Sequence, residues 1–196
     1  MVSLLELLGV IVAALFSENF ILVTCMGIGT RQEAFESPRE ARRTGIALTA
    51  VMVLATLVSW CAYRLVLRRY GLEYLDTLVF TLLVLGTVAL LRRGLRAFLP
   101  ELSRRLDPSL AALTTNCAAL GVVLLTVQRG YGLGEALVFA LFGGIGATLA
   151  MVSFAGVRGE VDMNSCPAPF RGTPILLLTA GLMAMALMGF YGLSVL

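Results

Sequence analysis

The chain has 196 residues, 59% of them hydrophobic and only 14% charged, with a mean hydropathy of +0.92 and a net charge of +3. A soluble domain carries about 45–50% apolar and about 25% charged residues, so the apolar excess faces lipid, and a soluble enzyme or a nucleic-acid-binding module is excluded. Histidine is absent, which removes imidazole acid–base catalysis and imidazole metal ligation together.

Apolar runs of roughly 17 to 25 residues predict an all-α integral membrane protein of six spans, at about 4–29, 45–67, 74–92, 108–127, 134–157 and 173–195. The first run has Glu6 inside it and no basic leader, so it reads as a true span. Ser17-Glu18-Asn19 then interrupts it. Polar residues at bilayer depth cost several kcal/mol on some scales (about 3 or more) and therefore line paths or hold ligands.

In the second span, Cys61 beside Trp60 reads as packing. The fourth carries a second polar cluster, Thr114-Thr115-Asn116-Cys117. Span five holds Gly143, Gly144, Gly146, Ala147 and Ala150, and span six holds Gly181, Ala184, Ala186, Gly189 and Gly192, small residues that predict close helix packing. Met183, Met185 and Met188 read as adaptable packing. Cys166, in the Asn164-Ser165-Cys166-Pro167 loop, has no evident partner.

All 15 cationic residues are arginines, and eleven fall in the loops after spans one, three and five against four after spans two and four. The positive-inside rule then puts both termini on the non-cytoplasmic side. Glu33, Glu36 and Glu40 alternate with arginines as in a solvated loop. No phosphate-binding glycine loop, nucleophile elbow or CxxC pair occurs, so a self-contained enzyme is not expected.

Three spans per half force any duplicated unit to be inverted in its second copy. Asn19 and Asn116 fall in the first span of each half, the pattern of an inverted 3+3 repeat with broken first and fourth helices. The chain then reads as one membrane domain, 1–196, with repeats at about 1–98 and 99–196. The rest of the two halves aligns poorly by eye. At such breaks the Asn side chains would cap freed N–H groups, and the half-helix N-termini would face an anionic or electron-rich group. The plainer reading has Asn19 and Asn116 bonding neighbouring helices. Cys25 and Cys117, near the two breaks, are candidate thiolate ligands for a soft metal or iron–sulfur cluster, or simply small apolar residues.

Asn19-Phe20-Ile21-Leu22-Val23, Leu113 through Gly121 around Thr114-Thr115-Asn116-Cys117, Pro167-Ala168-Pro169-Phe170-Arg171-Gly172 and Leu178-Thr179-Ala180-Gly181 resemble the Rnf/Nqr membrane subunit family over nearly the whole chain. The resemblance implies a homologous partner subunit of opposite topology and a shared [2Fe-2S] cluster with two cysteine ligands from each subunit. It also implies flavin and iron–sulfur partner subunits, a bacterial cytoplasmic (inner) membrane location, and electron flow between ferredoxin or NADH and an acceptor coupled to Na⁺ or H⁺ movement. It casts Cys117 as a metal ligand, with Asn19, Thr115 and Asn116 around the cofactor; Glu18, read from its place in the first break, is a candidate for an ion path or a carboxylate bonded to its neighbouring half-helix. The family's other ligand position is occupied by Gly29, with Cys25 one helical turn earlier; Ala111, Ala89 and Arg92 also depart from its pattern. The alternative is a diverged non-redox paralogue acting as a membrane transporter or assembly scaffold.

Overall fold

The computed structural model describes residues 9–11, 14–15, 37–70, 75–98, 117–163 and 173–189. All the regular elements among these are helices: α1 Pro38–Ala62, α2 Asp76–Phe98, α3 Cys117–Gln128, α4 Leu133–Met163 and α5 Thr173–Met188. A π-helical segment, Tyr63–Leu67, and a turn, Arg68–Tyr70, continue α1. Helices Pro38–Leu67, Asp76–Ala97 and Leu133–Glu160 are long and apolar enough to cross a membrane. The described residues therefore form an all-α membrane protein, with helices in spans two to six. Only Gly9–Ile11, Ala14 and Leu15 of the first span are described.

Helix α1 begins seven residues before the apolar run at 45, because Ser37 caps it: the Glu40 N–H donates to Ser37 Oγ at 3.3 Å, with Pro38 in the first turn. Arg39, Arg42 and Arg43 consequently ride on the helix, where a loop was expected, and Glu40 belongs to the cap. Arg92, Arg93 and Arg96 sit on α2 in the same way, and Arg158 on α4.

Helices α3 and α4 are joined by a tight turn. Gly130 has φ +65°, a left-handed conformation that costs any residue with a Cβ about 1–2 kcal/mol. It lets Tyr131 N–H reach Thr126 O at 3.1 Å and Gly130 N–H reach Val127 O at 3.0 Å, a Schellman closure. Gly132 N–H then donates to Glu135 Oε2 at 2.9 Å, capping α4.

The centre of the fold is the pair α1 and α4, the most extensive helix contact among the described residues. Gly45-Ile46-x-x-Thr49-x-x-Met52 and Gly144-Ile145-x-x-Thr148-x-x-Met151 are the same pattern 99 residues apart. Their contacts are reciprocal: Gly45 abuts Thr148, and Gly144 abuts Thr49. Such exchange requires antiparallel helices related by a two-fold operation. Of the ten buried residues of α1, nine map onto buried residues of α4 when 99 is added, Ser59 and Arg158 being the exception. The core around this pair includes Leu48, Val51, Met52, Phe80, Val88, Val122, Val123 and Phe139. The middle spans of the two halves are thus related to each other by inversion.

Span six departs from the close packing expected of its glycines. A Cβ at Gly181 would meet nothing within 4 Å, and Met185 and Met188 are 63% and 55% exposed. Among the described residues α5 packs chiefly on α4 and leaves Leu177, Leu178 and Leu182 open, a lipid- or subunit-facing surface.

Candidate functional site

Of the residues singled out in the sequence, Glu18, Asn19, Cys25, Gly29, Thr115 and Asn116 lie outside the described residues. Cys117 lies within them. It is the first residue of α3, a free, exposed thiol, while Ala118 and Ala119 immediately after it are fully buried. The thiol thus stands at the margin of the bundle, at the N-terminal end of a helix.

Its depth follows from the other end of α3. Trp60, Tyr63 and Tyr131 cluster there with arginines: Arg64 lies over the Trp60 ring at 5.2 Å, Arg129 over Tyr131 at 5.9 Å, and the Trp60 indole donates to Tyr131 O at 3.1 Å. Such aromatic and cationic groups mark the membrane interface. Cys117 is eleven residues from Gln128, about 16 Å along the helix, and that is the middle of a hydrocarbon core about 30 Å thick. Thr49 is eleven residues from Trp60, so the α1–α4 crossing lies at the same level. Cys61, beside Trp60 and half-buried, is half a bilayer away from Cys117 and cannot share a metal with it.

The first span reaches this centre from α4. A Cβ at Gly146 would sit 2.7 Å from Leu15 O and 3.3 Å from Ala14 O, so the N-terminal backbone lies directly on α4 two residues before Ser17. Ala14 and Leu15 are π-helical, a geometry common at functional sites. Thr56 Oγ1 and Ser59 Oγ are buried on α1 without a hydrogen-bond partner among the described residues. No group of three or more metal-ligating side chains occurs among the described residues.

On another face, α1 and α4 form a groove of about 770 Å³ lined by Arg42, Ile46, Thr49, Ala50, Val53 and Leu54 of α1 and Leu141, Ile145, Thr148, Leu149, Val152 and Ser153 of α4. The two sets are each other's images under the 99-residue shift. Hydropathy alone gives no sign of this groove; the repeated Gly-Ile-x-x-Thr-x-x-Met pattern is the signal in the sequence that marks it.

The profile of the family described as Rnf-Nqr subunit, membrane protein, matches residues 7–194. The chain is 41% identical to the A subunit of the ion-translocating oxidoreductase complex of Syntrophotalea carbinolica, over 96% of this chain and 97% of that protein. It is 37% identical to the protein of the same description from Edwardsiella ictaluri, over 93% and 95%. It is 35% identical to the A subunit of the Na(+)-translocating ferredoxin:NAD(+) oxidoreductase complex of Acetobacterium woodii, over 97% and 99%.

Proposed function

The chain belongs to the Rnf-Nqr family of membrane subunits, and we propose on that footing that it is the A-type subunit of an ion-translocating, Rnf-like electron-transfer complex in the bacterial cytoplasmic membrane. In this reading it pairs with a homologous subunit of opposite topology, both its termini face away from the cytoplasm, and the inverted relation extends to the whole halves, about 1–98 and 99–196. Flavin and iron–sulfur subunits complete the complex.

The observation that carries the reading is Cys117, an exposed thiol at mid-bilayer depth, with no group of three or more metal-ligating side chains among the described residues. An exposed thiol at the bundle's margin fits a [2Fe-2S] cluster shared with a second subunit. Cys117 would be one ligand and Cys25 the second, with Asn19, Thr115 and Asn116 supplying hydrogen bonds. When bound, the cluster supplies a one-electron relay within the membrane. The chain's own contribution is to hold the thiolate at the α3 N-terminus, exclude water with the surrounding apolar helices and keep the first span against Gly146. Glu18, three residues after the Leu15 carbonyl that meets Gly146, would serve ion passage; Glu18→Gln is expected to lose ion transport while the complex still assembles.

The test is iron content and low-temperature EPR of the purified complex, comparing wild type with Cys117→Ser and Cys25→Ser. Loss of one reduced [2Fe-2S] signal in both variants supports the reading. A wild-type complex without that signal overturns it and favours the second reading, a non-redox transporter or scaffold, to which Gly29 at the expected ligand position already points.

A further inference from the structure

The groove between α1 and α4 is symmetric in shape and asymmetric in chemistry. Its images under the 99-residue shift differ in polarity at two places: Arg42 corresponds to Leu141, and Ser153 to Leu54. Because the helices are antiparallel, Arg42 and Ser153 fall at the same end and Leu54 and Leu141 at the other. A groove that duplication would have made two-faced therefore has one polar mouth and one apolar end.

We infer that this groove binds an anionic phospholipid, its phosphate held at the Arg42 and Ser153 end and an acyl chain lying over Thr49 and Thr148 toward Leu54 and Leu141. Four observations fit this occupant. The floor presents no unmet polar group, since Thr49 and Thr148 both donate to carbonyls of their own helices, at 2.9 and 2.8 Å. Ile46 at the rim is 60% exposed, so the groove opens toward lipid. Arg42 is seven residues from Thr49, about 10 Å along the helix, from which its long side chain extends to headgroup level. It has no ion-pair partner among the described residues, which leaves its charge for a ligand.

Length discriminates between a lipid chain and a protein helix. Arg42 to Leu54 spans about 18 Å, close to the reach of one leaflet's chain and well short of the about 30 Å over which a docked transmembrane helix needs cover. A helix would also have to bring a carboxylate to Arg42. By the positive-inside rule the polar mouth opens to the cytoplasmic leaflet, the one rich in anionic lipid. None of this depends on whether a cluster is bound.

The experiment places a photo-cross-linking benzoylphenylalanine at Ile46 in the intact complex, reconstituted in vesicles of phosphatidylethanolamine and phosphatidylglycerol, and identifies the adducts by mass spectrometry. The expected result is glycerophospholipid adducts enriched in phosphatidylglycerol about fivefold over its share of the vesicle. Arg42→Leu, which gives the mouth the residue of its symmetry mate, erases that enrichment, and Arg39→Leu, outside the groove, keeps it. Adducts to a polypeptide of the partner complex, lipid adducts in the vesicle's own ratio, or an enrichment that survives Arg42→Leu each overturn the inference.

Discussion

Thr49 Oγ1 and Thr148 Oγ1 lie 3.4 Å apart where α1 crosses α4, each closer to a carbonyl of its own helix than to the other. Each hydroxyl carries one hydrogen. Thr49 gives its hydrogen to Gly45 O and Thr148 to Gly144 O, at 2.9 and 2.8 Å, closer than the threonines are to each other. The crossing is held by fit: two glycines receive two threonines, in the small-residue packing that replaces the hydrophobic effect between helices in lipid.

If fit is what holds the crossing, the hydroxyls matter little. Thr49→Val and Thr148→Val keep the shape and remove only a side-chain bond to a carbonyl already in the helix ladder. Each is expected to cost under about 1 kcal/mol, read as a small shift in thermal melting of the purified complex. A loss several times larger in either variant would mean that the hydroxyl pair is a real bond.

The glycines carry the larger penalty. A Cβ at Gly144 would meet Thr49 Cα at 2.8 Å, and one at Gly146 would meet Leu15 O at 2.7 Å, both backbone atoms that no rotamer change moves away. At Gly45 the obstruction is the Thr148 side chain, at 2.5 Å. Alanine at each position is expected to cost about 1–3 kcal/mol, Gly144→Ala and Gly146→Ala more than Gly45→Ala. Gly181→Ala, where the space is open, serves as the neutral control in the same melting assay.

Apolar run length made helices in spans two to six legible from sequence, since lipid imposes that length directly. Their ends were less so. A single Ser37 cap carried α1 seven residues into a stretch that charge alone marks as loop. The inverted relation hid for another reason: what repeats is burial. Leu48 has Ala147 as its image, Val51 has Ala150 and Ala55 has Phe154, so volume was traded across the interface while the buried pattern stayed. The Gly-Ile-x-x-Thr-x-x-Met residues at the crossing kept their identity, and so did Ala41 with Ala140, Val53 with Val152 and Val58 with Val157. The close approach of the first span to Gly146 had no local signal at all, because one small residue does not say which backbone it admits.

The turn between α3 and α4 is stabilised by backbone geometry alone at Gly130. Nothing lies within 4 Å of a Cβ built there, so Gly130→Ala is expected to cost about 1–2 kcal/mol from the positive φ. Gly130→Asn, whose side chain tolerates that region, is expected to recover part of the loss. Equal stability of the two variants in thermal melts would show that crowding, and not φ, sets the cost.

Cys61 and Cys117 give the depth assignment its own check. Cys61 adjoins Trp60 at the aromatic belt, whereas Cys117 stands about 16 Å away along α3 in the membrane's middle. Maleimides react with the thiolate form, and a water-soluble maleimide reaches a thiol only through water. In intact membranes a water-soluble maleimide is therefore expected to label Cys61 at least about tenfold faster than Cys117. A cluster on Cys117 protects it further, so the order holds with or without metal. Comparable labelling of Cys117 would put α3 at a water-filled surface, and with it would go the reading of this thiol as part of a site sealed inside the bilayer.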